Sequence, residues 1–221
     1  PSVGFVIIES IAIGKIYDYP PVLFVRGDLL PDDENSLAVV GTRRASVYGR
    51  QVTEDIVGDL ARNRITIVSG LAKGIDSIAH RTALEAGGRT IAVLPCGIDL
   101  IHPAYQKDLH KEILENDGLV ISEHEGSLAP LLWMYPKRNR IVAGLSRAVL
   151  VIEAALDSGT LITADFAKKF KRKIFAIPGP ITSEVSQGTL KLIKEGAEVA
   201  TCAKDIIDFF KLSSEKINSG I

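Results

Sequence analysis

The sequence predicts an α/β fold: a doubly wound, mostly parallel sheet with helices on both faces. Three observations carry that prediction. Short, near-continuous apolar runs recur along the chain, among them Leu37–Val40, Ile65–Val68, Thr90–Leu94 and Ala148–Ile152. Runs end at glycine or a small polar residue, as at Gly41 and Ser69, or reach glycine through a short turn, as at Pro95-Cys96-Gly97. A stretch of helical periodicity follows most of them. Strands that are apolar on both faces need cover above and below, and helices in the crossovers supply it.

Taken in order, residues 1–35 read as a partial N-terminal appendage wrapped on the main domain. It holds an apolar segment from Gly4 to Ile13, an extended Tyr19-Pro20-Pro21 lead into a short strand, and the acidic turn Pro31-Asp32-Asp33-Glu34-Asn35. Residues 36–212 read as the main domain. Its first unit runs from Leu37–Val40 through Gly41-Thr42-Arg43-Arg44 into a helix ending about Arg62. The second runs from Ile65–Val68 through Ser69-Gly70-Leu71-Ala72-Lys73-Gly74 into a helix beginning near Asp76. Thr90–Leu94 leads to Pro95-Cys96-Gly97 and a helix near Tyr105–Asn116, and Leu119–Ser122 leads to a long loop. Pro136 marks the start of a further helix. Ala148–Ile152 leads to Glu153 and a helix from about Ser158 to Lys171, and Lys173–Ile177 leads to Pro178-Gly179-Pro180. A last strand, Glu198–Ala200, precedes a helix around Lys204–Lys211, and residues 213–221 read as a disordered tail.

Composition narrows the function classes. With 26 Lys and Arg against 27 Asp and Glu, the formal charge is −1, so no global basic field draws in nucleic acid and any polyanion site must be local. The two cysteines, Cys96 and Cys202, are far apart and lack CxxC spacing, which argues against a disulfide framework or a zinc site and fits a reducing cytoplasm. His102, His110 and His124 have no metal-ligand spacing, so neither metal nor cofactor is expected. No apolar run reaches membrane-spanning length, and the first residues lack the signal-peptide pattern.

In sheets of this kind ligands sit beyond the carboxyl ends of the strands. The loops expected there carry basic, hydroxyl and glycine residues. Gly41-Thr42-Arg43-Arg44 is neither G-x-G-x-x-G nor a P-loop; it is a glycine turn presenting two arginines suited to phosphate oxygens, unless they merely cover the first helix. In the next loop Gly70 and Gly74 allow a sharp turn off the strand, and Lys73 reinforces any anion drawn to the helix end beyond. Arg138, Asn139 and Arg140 fall in or beside the first turn after Pro136, where the helix dipole disfavours cations, so they call for an anion. That anion is either an internal carboxylate, Glu123, Glu125 or Glu153, or an external phosphate. Ser158-Gly159-Thr160 opens another helix with free hydroxyls, beyond what plain capping requires.

Other residues read more plainly. Asp76 and His80 are one turn apart, yet a capping aspartate and a satisfied histidine describe them better than a general-base pair. The run Lys168-Lys169-Phe170-Lys171-Arg172-Lys173 reads as a solvated helix end. Trp133, Tyr135 and Tyr105 offer faces on which bases stack, although core packing accounts for Trp133 at least as well.

Five motifs in order form a recognisable set: Gly41-Thr42-Arg43; Ser69-Gly70-Leu71-Ala72-Lys73-Gly74-Ile75-Asp76 with His80; Thr90-Ile91-Ala92-Val93-Leu94 with Cys96-Gly97; Pro136-x-Arg138-Asn139-Arg140-Ile141 through Ser146; and Ser158-Gly159-Thr160-Leu161-Ile162-Thr163-Ala164. Together they resemble the DNA-processing protein A (DprA, Smf) family over roughly Tyr19 to Ile207. The resemblance implies an extended Rossmann-like, non-enzymatic domain that binds single-stranded DNA, usually as a homodimer. It implies protection of incoming DNA and help in loading the RecA recombinase during natural transformation. Arg43 then looks like the family's DNA-contacting arginine, with Lys73, Arg138, Asn139 and Arg140 lining the same edge. Gly41, Thr42, Arg44, Gly97, Tyr105, Lys107, Ser158, Gly159 and Thr160 complete the expected interface. The chain departs at His102-Pro103-Ala104-Tyr105-Gln106-Lys107, where the family's usual basic contact is displaced or missing.

The competing readings are a nucleotide-binding protein using the same loops, and a nucleotide phosphoribohydrolase of the lysine-decarboxylase-like family. The latter lacks its catalytic glutamate here, since Thr163 stands three residues after Thr160.

Overall fold

The computed structural model describes residues 3–7 and 20–218, with side chains placed for residues 3, 4 and 20–211. Among these, nine strands form one sheet: β1 (Gly4–Ile7), β2 (Val22–Arg26), β3 (Ser36–Val40), β4 (Thr66–Ser69), β5 (Thr90–Gly97), β6 (Leu119–His124), β7 (Ala148–Val151), β8 (Lys173–Ala176) and β9 (Glu198–Val199). Their spatial order is β1-β2-β6-β5-β4-β3-β7-β8-β9. Strands β3 to β9 pair in parallel, while β2 closes one side antiparallel to β6 with Phe24 opposite Ser122, and β1 pairs antiparallel to β2.

The helices are α1 (Val47–Arg62), α2 (Ile75–Glu85), α3 (Lys107–Glu115), α4 (Met134–Leu145), α5 (Gly159–Lys169), α6 (Gln187–Lys194) and α7 (Ala203–Asn218). Alternation along the central strands divides the core. Leu37 and Val39 of β3 pack with Ile56, Val57 and Leu60 of α1 and Ile75 and Ala79 of α2. Ala38 and Val40 face the other way, toward Ile141 and Val142 of α4 and Ala164 and Ala167 of α5. Every residue of β3, β4 and β7 is buried, which is why those strands read as near-continuous apolar runs.

The segment before β3 is fastened to the sheet by a buried ion pair. Asp33 is 6 % exposed and accepts from Arg89 Nε at 2.7 Å and from its Nη2 at 2.9 Å, a bidentate fork that a lysine would not match. Residues 20–35, expected as an appendage, thus contribute β2 to the same sheet. Most of the apolar segment expected from Gly4 to Ile13 lies outside the described residues.

Two helical segments lie beyond the sequence reading. The tail expected from 213 is helical as far as Asn218, since no glycine or proline interrupts α7 before Gly220. Helix α6 has no counterpart in the sequence pattern. Gly188 in its first turn lowers the helical signal, yet a Cβ there would lie 2.6 Å from the Ala154 carbonyl oxygen, so only glycine lets α6 cross that loop.

The order β6-β5-β4-β3 runs one way from the centre and β7-β8-β9 the other, so the direction of winding reverses between β3 and β7. The loops after these two strands, beginning at Gly41 and at Ile152, diverge there and leave a crevice.

Candidate nucleic-acid interface

The crevice is a cleft of about 450 Å³. The turn Gly41-Thr42-Arg43-Arg44 forms one wall, the first turn of α5 with Ser158, Gly159 and Thr160 the other, and Arg138 and Asn139 of α4 stand beneath. A smaller cavity of about 100 Å³ adjoins it, lined by Lys73, Tyr105 and His102, with Arg43, Tyr135 and Arg138 shared between the two.

Backbone contact sets the first two loops side by side. The Ile75 N–H donates to the Thr42 carbonyl at 3.2 Å. Gly74 has φ +86°, and a Cβ on it would sit 2.3 Å from the Thr42 oxygen, so the approach requires glycine on both steric and conformational grounds. Arg43 and Lys73, thirty residues apart in the chain, are thereby brought to one rim, and both are exposed. The Arg43 guanidinium lies over the Tyr135 ring at 5.6 Å, and Tyr135 in turn shares a 2.7 Å hydrogen bond between its hydroxyl and His102 Nε2. A cation–π contact holds Arg43 in place while leaving its donors for an anion.

The positive end of α5 opens on the opposite wall. Ser158 caps it, accepting from the Thr160 N–H at 3.2 Å. A Cβ on Gly159 would meet nothing within 4 Å, so glycine leaves this wall open toward the cleft. Asn139 Nδ2 donates to the Gly159 carbonyl at 3.2 Å and ties α4 to that turn.

The amino end of α1, where dinucleotide-binding folds seat a pyrophosphate, is filled from within. Glu153, 2 % exposed, directs its carboxylate there and accepts from the Ser46 N–H at 3.0 Å and the Ser46 hydroxyl at 2.5 Å. A Cβ on Gly49 would lie 2.2 Å from Glu153 Oε2, leaving no space for a second anion.

Three expected contacts are placed differently. Arg140 is 2 % exposed and meets Glu123 Oε1 at 2.6 Å; the same oxygen lies 3.2 Å from Lys137 Nζ. The anion its position called for is therefore internal. Arg138 is 7 % exposed and donates from Nη1 to the carbonyls of Gly70, at 2.6 Å, and Val93. It is a strut under the Gly70–Gly74 loop, and a Cβ on Gly70 would lie 2.4 Å from its Nη1. Both arginines sit deeper than expected because α4 begins at Met134, which puts Pro136 third in the helix and the arginines beyond the first turn. Gly97 is buried at the end of β5; its N–H donates to the Leu128 carbonyl at 2.8 Å, and a Cβ would lie 2.1 Å from the Gly126 oxygen, so it is a packing glycine.

The remaining residues keep to the surface. Tyr105 is 65 % exposed at the mouth of the smaller cavity, and Lys107 is exposed at the start of α3, outside both cavities. Trp133 is 52 % exposed, with Lys137 Nζ 5.8 Å from its ring, so it is not a core residue.

Asp76 and His80 serve the scaffold. Burial raises the Asp76 pKa, against the pull of Arg138 and of the Gly70 and Ala72 N–H groups that its carboxylate accepts. His80 is wholly buried, and burial, with Arg138 nearby, depresses its pKa to about 3. The Thr90 hydroxyl donates to the Ile67 carbonyl, so His80 Nδ1 must carry the proton it shares with Thr90 Oγ1 at 2.6 Å. A neutral imidazole so committed bridges α2 and β5.

Sequence reading passes over Tyr135 as the seat of Arg43 and Glu153 as the carboxylate at α1. The first signal lies in the His102 and Tyr135 pair, distant in sequence. The second lies in an acid placed just after an apolar strand, opposite a Ser-x-x-Gly helix start.

Among the described residues no helix is long and apolar enough to cross a membrane, and no group of three or more His, Cys, Asp or Glu is placed to hold a metal. The chain is 45 % identical over 191 residues to Protein Smf of Escherichia coli, covering 86 % of this chain and 51 % of the relative, so it spans about half of that protein. Among solved structures it resembles the DNA processing protein A of Streptococcus pneumoniae, with TM-score 0.88 and 41 % identity, covering 94 % of this chain and 74 % of that one. It also resembles the Helicobacter pylori protein of the same name, a structure concerned with single-stranded DNA binding, with TM-score 0.86 and 31 % identity, covering 96 % and 97 %. The family model of DNA recombination-mediator protein A matches residues 10–211, and the chain belongs to that family.

Proposed function

We propose that this domain binds single-stranded DNA along the cleft between β3 and β7, gripping the backbone rather than reading bases. The observation that carries this reading is Arg43. It is an exposed guanidinium seated on Tyr135 at a cleft whose far wall is the amino end of α5. A phosphate between them meets a bidentate cation on one side and a helix dipole on the other. Arg44, Lys73 and Asn139, with Gly41, Thr42, Ser158, Gly159 and Thr160, extend the contact surface. Tyr105 and Trp133 offer exposed rings for successive bases, and Lys107 adds a cation at the margin. Arg138 and Arg140 support this surface from beneath.

Membership of the family supports the wider assignment: a homodimer in the cytoplasm that protects incoming DNA and helps load RecA during transformation and recombination, without catalysis of its own. An oligo-dT anisotropy titration at rising salt tests the binding role. Affinity should fall linearly on a log–log plot, with a slope of about −0.7 per phosphate contacted, and 5′-AMP should not displace the DNA. Displacement of DNA by AMP would favour the nucleotide-binding reading, and adenine release from AMP, abolished in a cleft variant, would favour the phosphoribohydrolase.

A further inference from the structure

We propose that Glu153 is the positioning residue of the phosphate site, holding the Arg43 turn at both ends. This rests on the DNA-binding reading of the cleft. The Glu153 carbonyl accepts from the Thr42 N–H at 2.8 Å, just before Arg43. Its carboxylate accepts from both the N–H and the hydroxyl of Ser46, just after Arg44 and Ala45. The same Ser46 hydroxyl accepts from the Gly49 N–H at 3.0 Å, so the turn continues into the capped start of α1. One residue, anchored just beyond the strand next to β3, therefore fixes the path of the chain that presents both arginines.

The clamp answers a specific difficulty. Arg43 lies near enough to Arg138 for the two charges to disfavour each other. Asp76 offsets the Arg138 charge, while Arg43 rests on an uncharged ring. Without phosphate present, a loose turn would carry Arg43 away from the cleft into solvent. The Tyr135 ring counters part of that repulsion, and the Glu153 clamp removes the freedom to drift. The carboxylate also occupies the amino end of α1, so phosphate is left to Arg43 and α5.

The test is a double-mutant cycle read by oligo-dT anisotropy, with folding checked by thermal melting. Glu153→Ala should weaken binding about tenfold in the wild-type background and reduce the salt slope, as the release of one phosphate does. In the Arg43→Ala background it should change affinity less than twofold, because the residue it positions is gone. Glu153→Gln keeps an acceptor for the Ser46 N–H, and should recover most of the affinity; it also serves if the alanine variant does not fold. A loss for Glu153→Ala as large in the Arg43→Ala background as in the wild type, no loss for a folded Glu153→Ala, or a loss of about tenfold or more for Glu153→Gln in both backgrounds, with Arg43→Ala itself weakening binding, would overturn the positioning role. No effect of Arg43→Ala at all would instead overturn the DNA site on which the role rests.

Discussion

Arg43→Ala should weaken oligo-dT binding by about 10- to 100-fold, the cost of a charge-assisted hydrogen bond of about 1.5–3 kcal/mol to a phosphate. The same change should leave the melting temperature almost unmoved, because Arg43 is exposed and its packing is a single ring face. The salt slope should become shallower by about 0.7 for each phosphate no longer gripped. Lys169→Ala is the matched control. Lys169 sits at the far end of α5, with Nζ 5.4 Å from the Phe166 ring, roughly 16 Å along the helix from the cleft wall. Removing it takes away the same formal charge, and affinity should change less than twofold. Equal losses for the two variants, measured by anisotropy at one salt concentration, would mean that bulk charge and not the cleft binds DNA.

Arg138→Ala should do the reverse and act on stability. It removes the donor that satisfies the carbonyls of Gly70 and Val93, and it withdraws the positive charge facing buried Asp76. Breaking a buried charge interaction of this kind costs about 3–5 kcal/mol, since the remaining group is left uncompensated. For a chain of this size that is a drop of about 6–20 °C in Tm. With the counter-charge gone, the Asp76 pKa, already raised by burial, should rise further. Differential scanning calorimetry measures the loss. A Tm within about two degrees of wild type, together with a large loss of DNA affinity, would return Arg138 to the role of a direct phosphate contact.

The sheet is legible in the sequence because its central strands are buried on both faces and so appear as near-continuous apolar runs. Leu37–Val40 and Ala148–Ile152 fall within a residue or two of β3 and β7. The switch point follows from them, and with it the loops that matter. Gly188 hides α6, because a residue that clears the Ala154 carbonyl also weakens the local helical pattern.

The site is legible in part for a related reason. A cation's exposure depends on where its helix starts, and the start of α4 at Met134 turns Arg138 and Arg140 inward toward carbonyls and Glu123. Pro136 suggests a later start. Gly97 misleads in the same way, since a glycine that admits a backbone carbonyl and one that admits a phosphate look alike until the neighbouring chain is in view. Gly74, by contrast, reads as a turn glycine from its sequence, and it is the contact that brings Lys73 beside Arg43.

The decisive measurement is a structure of this domain with a short oligo-dT bound. A phosphate is expected within about 3 Å of the Arg43 guanidinium, facing the first turn of α5 across the cleft. DNA seated instead along the Lys168–Lys173 end of α5, with the cleft between β3 and β7 free of phosphate, would contradict the proposed binding mode.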